Sequence, residues 1–596
     1  MLVTPEMRPR PRAHPHGVTP GRHRRGRSRH AAAARGVRAQ AIALLCLAGS
    51  ILLWTVGFAG FDARDMGGYG LLTGFNSAVV AALVLLLGST LVCIHQSRPG
   101  WVVGVHLVTY LALIHGTPAV LYGNVRYAWS FKHLGVVDFI MRTGAVDPGT
   151  DVNPIYHNWP GLFAASALVS DLAGEDAARA IAIWAPLGFN LILLVVLRYL
   201  FRGMSTRPAV VWTALLIYFT MTWVGQDYFS PQAAVYILYL GAVGLLLRER
   251  HGGAARTALF ILLVAAMAVT HQITLVIVVM SIVALVVTRQ TRGWYLPVIA
   301  AVVISAWALT FAHDFTVTNL EDLVSGFGRP LANADATFSK SDGASGSQLV
   351  IIWGDRFTVA IAVAFAVLGF RRTRRRGTPQ WAAVVLMVVP IAVLVQMSFG
   401  GEALLRVFLF SAPFIAFLAA EACAPSGYAG AIDRRRMAMA VAVVILVLPG
   451  FLLGYYGKER HNYFTDQEIA AARWVADTAR PGSLLVEGDV NYPRQLVGAE
   501  KFAYVPIAYE PSVERVLDDP ATSLHEWLSD PIYTDGYVMI TRSQKIGAEM
   551  DGTLPRGALT ELEGELVTSP LFTVAHRSRD ATVFTLSDYG EEVGRR

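Results

Sequence analysis

Apolar runs of roughly 20 residues recur along this chain, and that recurrence restricts its fold more than any motif does. Wound as a helix, such a run matches the hydrocarbon thickness of a bilayer, where lipid offers no partner to an unpaired backbone group. Alternating segments of about 10 residues, the mark of a membrane β-barrel, are not what recurs. With 54% hydrophobic and 16% charged residues and a mean hydropathy of +0.46, the 596 residues are too apolar for a soluble protein. We therefore expect an α-helical polytopic membrane protein of about 13 transmembrane helices, at 41–60, 78–95, 101–122, 177–200, 208–225, 232–248, 256–270, 272–288, 294–312, 349–370, 380–398, 404–421 and 437–455. His271-Gln272 splits 256–288 into two short helices at a polar turn.

Basic residues set the expected orientation, because Lys and Arg concentrate in cytoplasmic loops. Ten arginines lie between Arg8 and Arg38 against one acid, Glu6, so the net charge of +7 is a local excess and no sign of nucleic-acid binding. Residues 1–40 are expected to be a disordered cytoplasmic tail and 41–456 the membrane domain, with outer loops 123–176 and 313–348. Arg198, Arg202, Arg207, Arg248, Arg250, Arg256, Arg289, Arg292, Arg371 to Arg376 and Arg434 to Arg436 fall on the tail's side, which leaves the C-terminus outside the cell. Cys46, Cys93 and Cys423 lie in or beside apolar runs with no metal-ligand spacing, so neither a disulfide framework nor a zinc site is expected. From about Lys458 hydropathy falls, and 457–596 reads as a small extracytoplasmic α/β domain. Thr465-Asp466-Gln467-Glu468 is a capping box opening a helix to about Thr478. Strands are expected at Ser483 to Val486, Tyr537 to Ile540, Leu571 to Val574 and Ala581 to Leu586. No phosphate-binding glycine loop occurs in this domain, which points to a supporting role.

Polar residues gather on the expected outer face. Between Tyr122 and Gly161 the chain interleaves Arg126, Lys132, His133, Asp138, Asp151 and His157 with Tyr127, Trp129, Tyr156 and Trp159, and Trp129, His133 and Val136 to Val137 are spaced as one face of a short helix. Residues 160–173 suit an interfacial or re-entrant helix. Asp62 and Asp65 follow the first span. Gln226, Asp227, Tyr228 and Gln232 sit in a tight turn between spans, where burial without partners is costly, so a polar cavity is expected. Glu402 and Arg406, four apart at the start of a span, either pair with each other or present a guanidinium to a lipid-linked phosphate, and the second role is preferred.

Carboxylates, histidines, cations and aromatic rings on one membrane face suit sugar transfer from a lipid-phosphate donor. A carboxylate takes the acceptor hydroxyl proton and a cation or metal holds the leaving phosphate. Candidate bases are Asp62, Asp65 and Asp138. Arg406, Lys132 and Arg126 are the candidates for the donor phosphate, and His133, His157, Trp159, Asp227, Tyr228, Gln232, His271 and Glu402 for the substrate. Asp138, Asp151 and Asp227 are candidate ligands should a divalent cation such as Mg²⁺ or Mn²⁺ take part; no cofactor is assigned.

Through K-H-L-G-V-V-D (Lys132 to Asp138), Y-H-N-W-P-G (Tyr156 to Gly161), W-V-G-Q-D-Y-F-S-P-Q (Trp223 to Gln232), T-H-Q-I-T (Thr270 to Thr274) and G-G-E-A-L-L-R (Gly400 to Arg406), the chain resembles actinobacterial membrane proteins of the GT-C glycosyltransferase type. The resemblance is one of architecture from Ala41 onward. It implies a polyprenyl-phosphate sugar donor, a glycan or lipid acceptor in the cell envelope, and a base in the first outer loop, matching Asp62 and Asp65. The oligosaccharyltransferase motif W-W-D-Y-G is missing, which argues against protein N-glycosylation. A lipid-linked glycan polymerase or ligase would use the same face, and a flippase or transporter of envelope polymer is the non-enzyme alternative. The few arginines of the outer loops and the lack of an internal repeat favour a transferase.

Overall fold

The computed structural model describes residues 22–249, 252–272, 274–321, 345–392, 394, 402–425 and 433–587. Residues 1–21 of the Arg-rich tail, Arg250, Asp322, most of the loop 313–348 and Gly400-Gly401 lie outside them. The membrane domain begins with α1 (Arg22–Phe58), α2 (Ser77–His95), α3 (Gly100–Tyr122), α4 (Ala128–Thr143), α5 (Pro154–Asn158), α6 (Gly161–Ala173), α7 (Ala177–Met204), α8 (Pro208–Met221) and α9 (Pro231–Arg248). It continues with α10 (Ala254–Ala268), α11 (Thr274–Val287), α12 (Tyr295–Leu309), α13 (His313–Thr318), α14 (Gly346–Arg375), α15 (Trp381–Val388), α16 (Ala403–Cys423) and α17 (Arg434–Tyr456).

A helix stands at each of the thirteen expected spans, but among the described residues only eight are long and apolar enough to cross a membrane: α1 from Gly36, α2, α3, α7, α9, α14, α16 and α17. Helices α8, α10, α11 and α12 and the segment Trp381–Ala392 are shorter apolar helices. The short α8 is explained by its place: Thr213 to Met221 are all buried, so its C-terminal part meets protein rather than lipid. Helices α9 and α16 are central, with 72% and 78% of their apolar windows buried, whereas α1 and α14, at 28%, present most of their surface outward. Asn76 illustrates the local logic, capping α2 through Ala78 and Val79 while donating to Gly57 O at the end of α1.

The basic clusters converge on one end of the bundle. Arg207 reaches Glu421 at 3.2 Å, Arg372 donates to Ala422 O at 3.0 Å, and Arg436 bonds Ala424 O. The C-terminal domain covers the opposite end. It contains α18 (Asp466–Thr478), β1 (Ser483–Glu487), β2 (Phe502–Pro506), α19 (Val513–Asp518), α20 (Pro520–Leu528), β3 (Gly536–Thr541), α21 (Arg542–Asp551), α22 (Ala558–Thr568), β4 (Phe572–Arg577) and β5 (Ala581–Leu586). The sheet order is β2-β1-β3-β5-β4, with β2, β1 and β3 parallel and β5 antiparallel to β3 and β4. Leu484, Val486, Val538 and Ile540 pack against α20 and α22, while Leu485, Tyr537 and Met539 pack against α18, so the central strands are buried on both faces. The sequence patterning missed β2 and the helices α19 to α22.

This domain is docked rather than tethered. Arg64 of the first loop holds Asp580 through two bonds of 2.9 and 2.6 Å, Asn124 donates to Asp466, and Phe131 meets Phe464. Gly135 of α4 lies so close to the domain that an added Cβ would stand 1.8 Å from Gln495 O. Helix α4 forms as expected, burying His133, Val136 and Val137, but Trp129 is 54% exposed and lies off that buried face.

Candidate functional site

The chain leaves helical geometry at 222–230, between α8 and α9, and this break positions Asp227. Gly225 is required there, since a Cβ would lie 2.5 Å from the Tyr127 hydroxyl. Asp227 Oδ2 accepts from Asn190 Nδ2 at 2.8 Å and Tyr455 Oη at 2.9 Å, and His115 Nδ1 stands 3.0 Å away. His115 Nδ1 is also 2.6 Å from Tyr455 Oη, a set satisfied when the proton is on Nδ1. Donors on one oxygen favour the ionised carboxylate. The other oxygen, Oδ1, is covered and has no partner among the described residues. His115, Asn190, Thr222, Gln226, Asp227 and Tyr455 line a cavity of about 40 Å³. That is room for about three water-sized groups, enough for a hydroxyl to enter while the ring that carries it stays outside.

Beside it lies a buried ion pair. Glu459 accepts from Arg126 Nε at 2.9 Å and Nη2 at 2.7 Å, from Tyr122 Oη at 2.8 Å and from Asn462 at 2.9 Å. Arg126 Nη2 also donates to Tyr455 O, and its guanidinium lies 4.2 Å from the Tyr455 ring. Arg126 thus joins the end of α3 to the start of the C-terminal domain, an engagement the sequence does not reveal.

Tyr228, next in the chain, starts a second group. Its ring stacks on His133 at 5.8 Å with a 1° tilt and lies 5.2 Å from Tyr127. His133 Nδ1 donates to Phe229 O at 2.6 Å, and burial pushes the imidazole down to about 3, so it is neutral with Nε2 as an acceptor. Lys132 Nζ lies 4.6 Å over Trp129 and 5.8 Å from Tyr156. Burial, aided by Arg494 and opposed by Glu487, lowers the Lys132 ammonium to about 8. Arg406 donates to Glu402 at 3.3 Å, so the two side chains pair with each other, the role that the sequence reading placed second to phosphate binding. Both lie within electrostatic reach of Tyr156 and Tyr228, and Arg406 within reach of His271. His271 Nδ1 accepts from the Thr274 amide that opens α11.

The remaining expected residues lie elsewhere. Asp62 caps a short turn through the Arg64 amide, Asp65 and Asp151 are exposed, and none of the three lines the Asp227 cavity. Asp138 pairs with Arg142 at 2.8 Å, and Arg142 also meets Glu500. His157 Nδ1 accepts from the Asp147 amide, and Trp159 is buried against Phe315. Gln232 is buried near the start of α9. Asp138, Asp151 and Asp227 are therefore not brought together, and no group of three metal-ligating side chains occurs among the described residues. Sequence reasoning missed His115, Asn190, Tyr455 and Glu459. The signal for the first two was present, since a His and an Asn inside apolar runs mark polar contacts within a bundle.

No protein-family model matches the chain, and no curated protein matches it significantly. Among solved structures it is similar to ArnT from Cupriavidus metallidurans bound to undecaprenyl phosphate, with a TM-score of 0.48 and 12% identity over 81% of this chain and 98% of that one. The apo state of the same ArnT gives 0.47 and 13% over 81% and 97%. An Archaeoglobus fulgidus oligosaccharyltransferase tethered with an acceptor peptide gives 0.45 and 11% over 77% and 71%.

Proposed function

We propose that this protein is a membrane glycosyltransferase of the GT-C type, moving a sugar from a polyprenyl-phosphate donor to a cell-envelope acceptor. The observation that carries this reading is Asp227, a carboxylate oriented by His115, Asn190 and Tyr455 with one buried oxygen left unpartnered. Leaving such an atom unpaired costs about 1–3 kcal/mol, a cost that a substrate hydroxyl donating to it would offset. Asp227 then takes the acceptor hydroxyl proton as that oxygen bonds the anomeric carbon, and the bond from that carbon to the phosphate oxygen breaks. The polyprenyl phosphate leaves with the bonding pair, its charge met by Lys132 and Arg406. His133 Nε2 accepts from a sugar hydroxyl, and the Tyr228 and Tyr156 rings support a sugar face. By the positive-inside rule, the end carrying the C-terminal domain faces out of the cytoplasm.

The test is transfer of radiolabelled sugar from polyprenyl-phosphate sugars by membranes carrying the wild type or Asp227→Asn, Asp62→Asn, Asp65→Asn and Arg406→Ala at equal levels. Asp227→Asn is expected to lower transfer by about 10²–10⁴-fold. Full activity in Asp227→Asn with loss in Asp62→Asn or Asp65→Asn would move the base to the first loop. Unconsumed donor alongside a lipid-linked glycan that changes leaflet or length would replace the transferase with a flippase or polymerase.

A further inference from the structure

The first loop and the C-terminal domain enclose a cleft of about 550 Å³, separate from the Asp227 cavity. Its lining carries Arg64, Arg460, Arg542, Lys545, Arg577 and Arg579 against three carboxylates, Glu549, Glu563 and Asp580. Two of the three are already matched, Asp580 by Arg64 and Glu563 by Lys545. Arg460, Arg542, Arg577 and Arg579 make no ion pair with a carboxylate among the described residues. The excess is positive, and Arg542 is held in place. The Arg542 amide donates to Asp580 O at 2.8 Å, which fixes the β4–β5 turn to the start of α21. The Arg542 guanidinium donates to Tyr463 O at 3.3 Å and lies 5.0 Å from that ring. Burial lowers its pKa from the ordinary value, as expected of a cation that neighbouring acids only partly compensate.

Guanidinium groups match phosphate oxygens bidentately, and ligand sites commonly measure about 300–1,000 Å³, so the cleft suits a hexose phosphate or a headgroup of similar size. Arg64 follows closely on α1, which puts the cleft beside the membrane surface. We propose that this cleft binds a phosphate-bearing sugar or lipid headgroup and so anchors an anionic acceptor. The acceptor role rests on the transferase reading, whereas the anion binding stands without it.

Calorimetric titration of the full-length protein in detergent tests it, with glucose 1-phosphate, a short-chain phosphatidylglycerol and uncharged glucose as probes. At least one phosphate probe is expected to bind, and glucose is not. Arg542→Gln, and separately Arg577→Gln with Arg579→Gln on the exposed turn, are expected to weaken binding about tenfold. Binding of the sugar phosphate alone identifies a soluble ligand, and binding of phosphatidylglycerol alone a lipid-borne one; either supports the site. No phosphate binding, equal binding of glucose, or variants that bind like the wild type would overturn it. Because no transfer is measured, an inactive enzyme that still binds phosphate refutes only the transferase.

Discussion

Replacing Glu459 by glutamine should loosen the junction between the membrane and C-terminal domains more than any single surface change. Glu459 is fully buried and Arg126 is 3% exposed, so no solvent can take over the role of either partner. Glu459→Gln keeps the shape, removes the charge, and turns an amide toward the Arg126 Nε that the carboxylate now accepts from. An uncompensated buried guanidinium costs about 3–5 kcal/mol. The double variant Arg126→Met/Glu459→Leu removes both charges, and its remaining costs are the Tyr122 and Asn462 donors and the Tyr455 carbonyl left unmatched. It should therefore be less destabilised than Glu459→Gln alone, a coupling readable in a double-mutant cycle. The assay is unfolding of the detergent-solubilised protein by SDS titration, with limited proteolysis around residue 460 as the local probe. A Glu459→Gln variant within about 1 kcal/mol of the wild type, with an unchanged cleavage pattern, would refute the buried-pair argument.

The pH response of donor binding should follow Lys132, whose ammonium titrates near 8. Above that pH the cation is lost, so the donor KM should rise, while Lys132→Arg keeps its charge and should hold the KM flat; identical profiles would remove Lys132 from phosphate binding. In stability the sign is opposite, because a lysine lowered from 10.5 to about 8 disfavours the folded state below 8, and that penalty fades as pH climbs toward 10.5. Gly135→Ala drives a methyl group into Gln495 O, so hydrogen exchange in 488–498 should speed up at a cost of about 1–3 kcal/mol, and unchanged exchange would mean that α4 does not hold the domain. Gly225→Ala should press on Tyr127 and lower transfer without detaching the domain.

The apolar helices were legible because hydropathy is local, each run carrying its own signal whatever it packs against, but which of them are long enough to span was not. Strands β1, β3, β4 and β5 were legible for the same reason. The run Phe502 to Pro506 was not, since it is an edge strand with only Phe502 buried and it ends in proline. Sites depend on partners far away in sequence. Arg126 looks like a phosphate ligand until Glu459, 333 residues on, is seen to hold it. His115 meets Tyr455 across 340 residues, and nothing near His115 announces that tyrosine. Asp227 was flagged by its turn, but not the donors that orient it.

Helices α10, α11 and α12 and the segment Trp381–Ala392 pack against one another as a continuous wall on one flank. At 15 residues such a helix is only about 22 Å long, against a hydrocarbon layer of about 30 Å. A helix that short meets a bilayer by local thinning, by snorkelling of its flanking residues or by packing against its neighbours, and here the four segments already pack against one another. His271 sits where α10 gives way to α11, at the end of this short flank. A lipid meeting this flank would face about 22 Å of helix where α14, at 30 residues, offers about 45 Å, so the two helices present very different lengths to their surroundings.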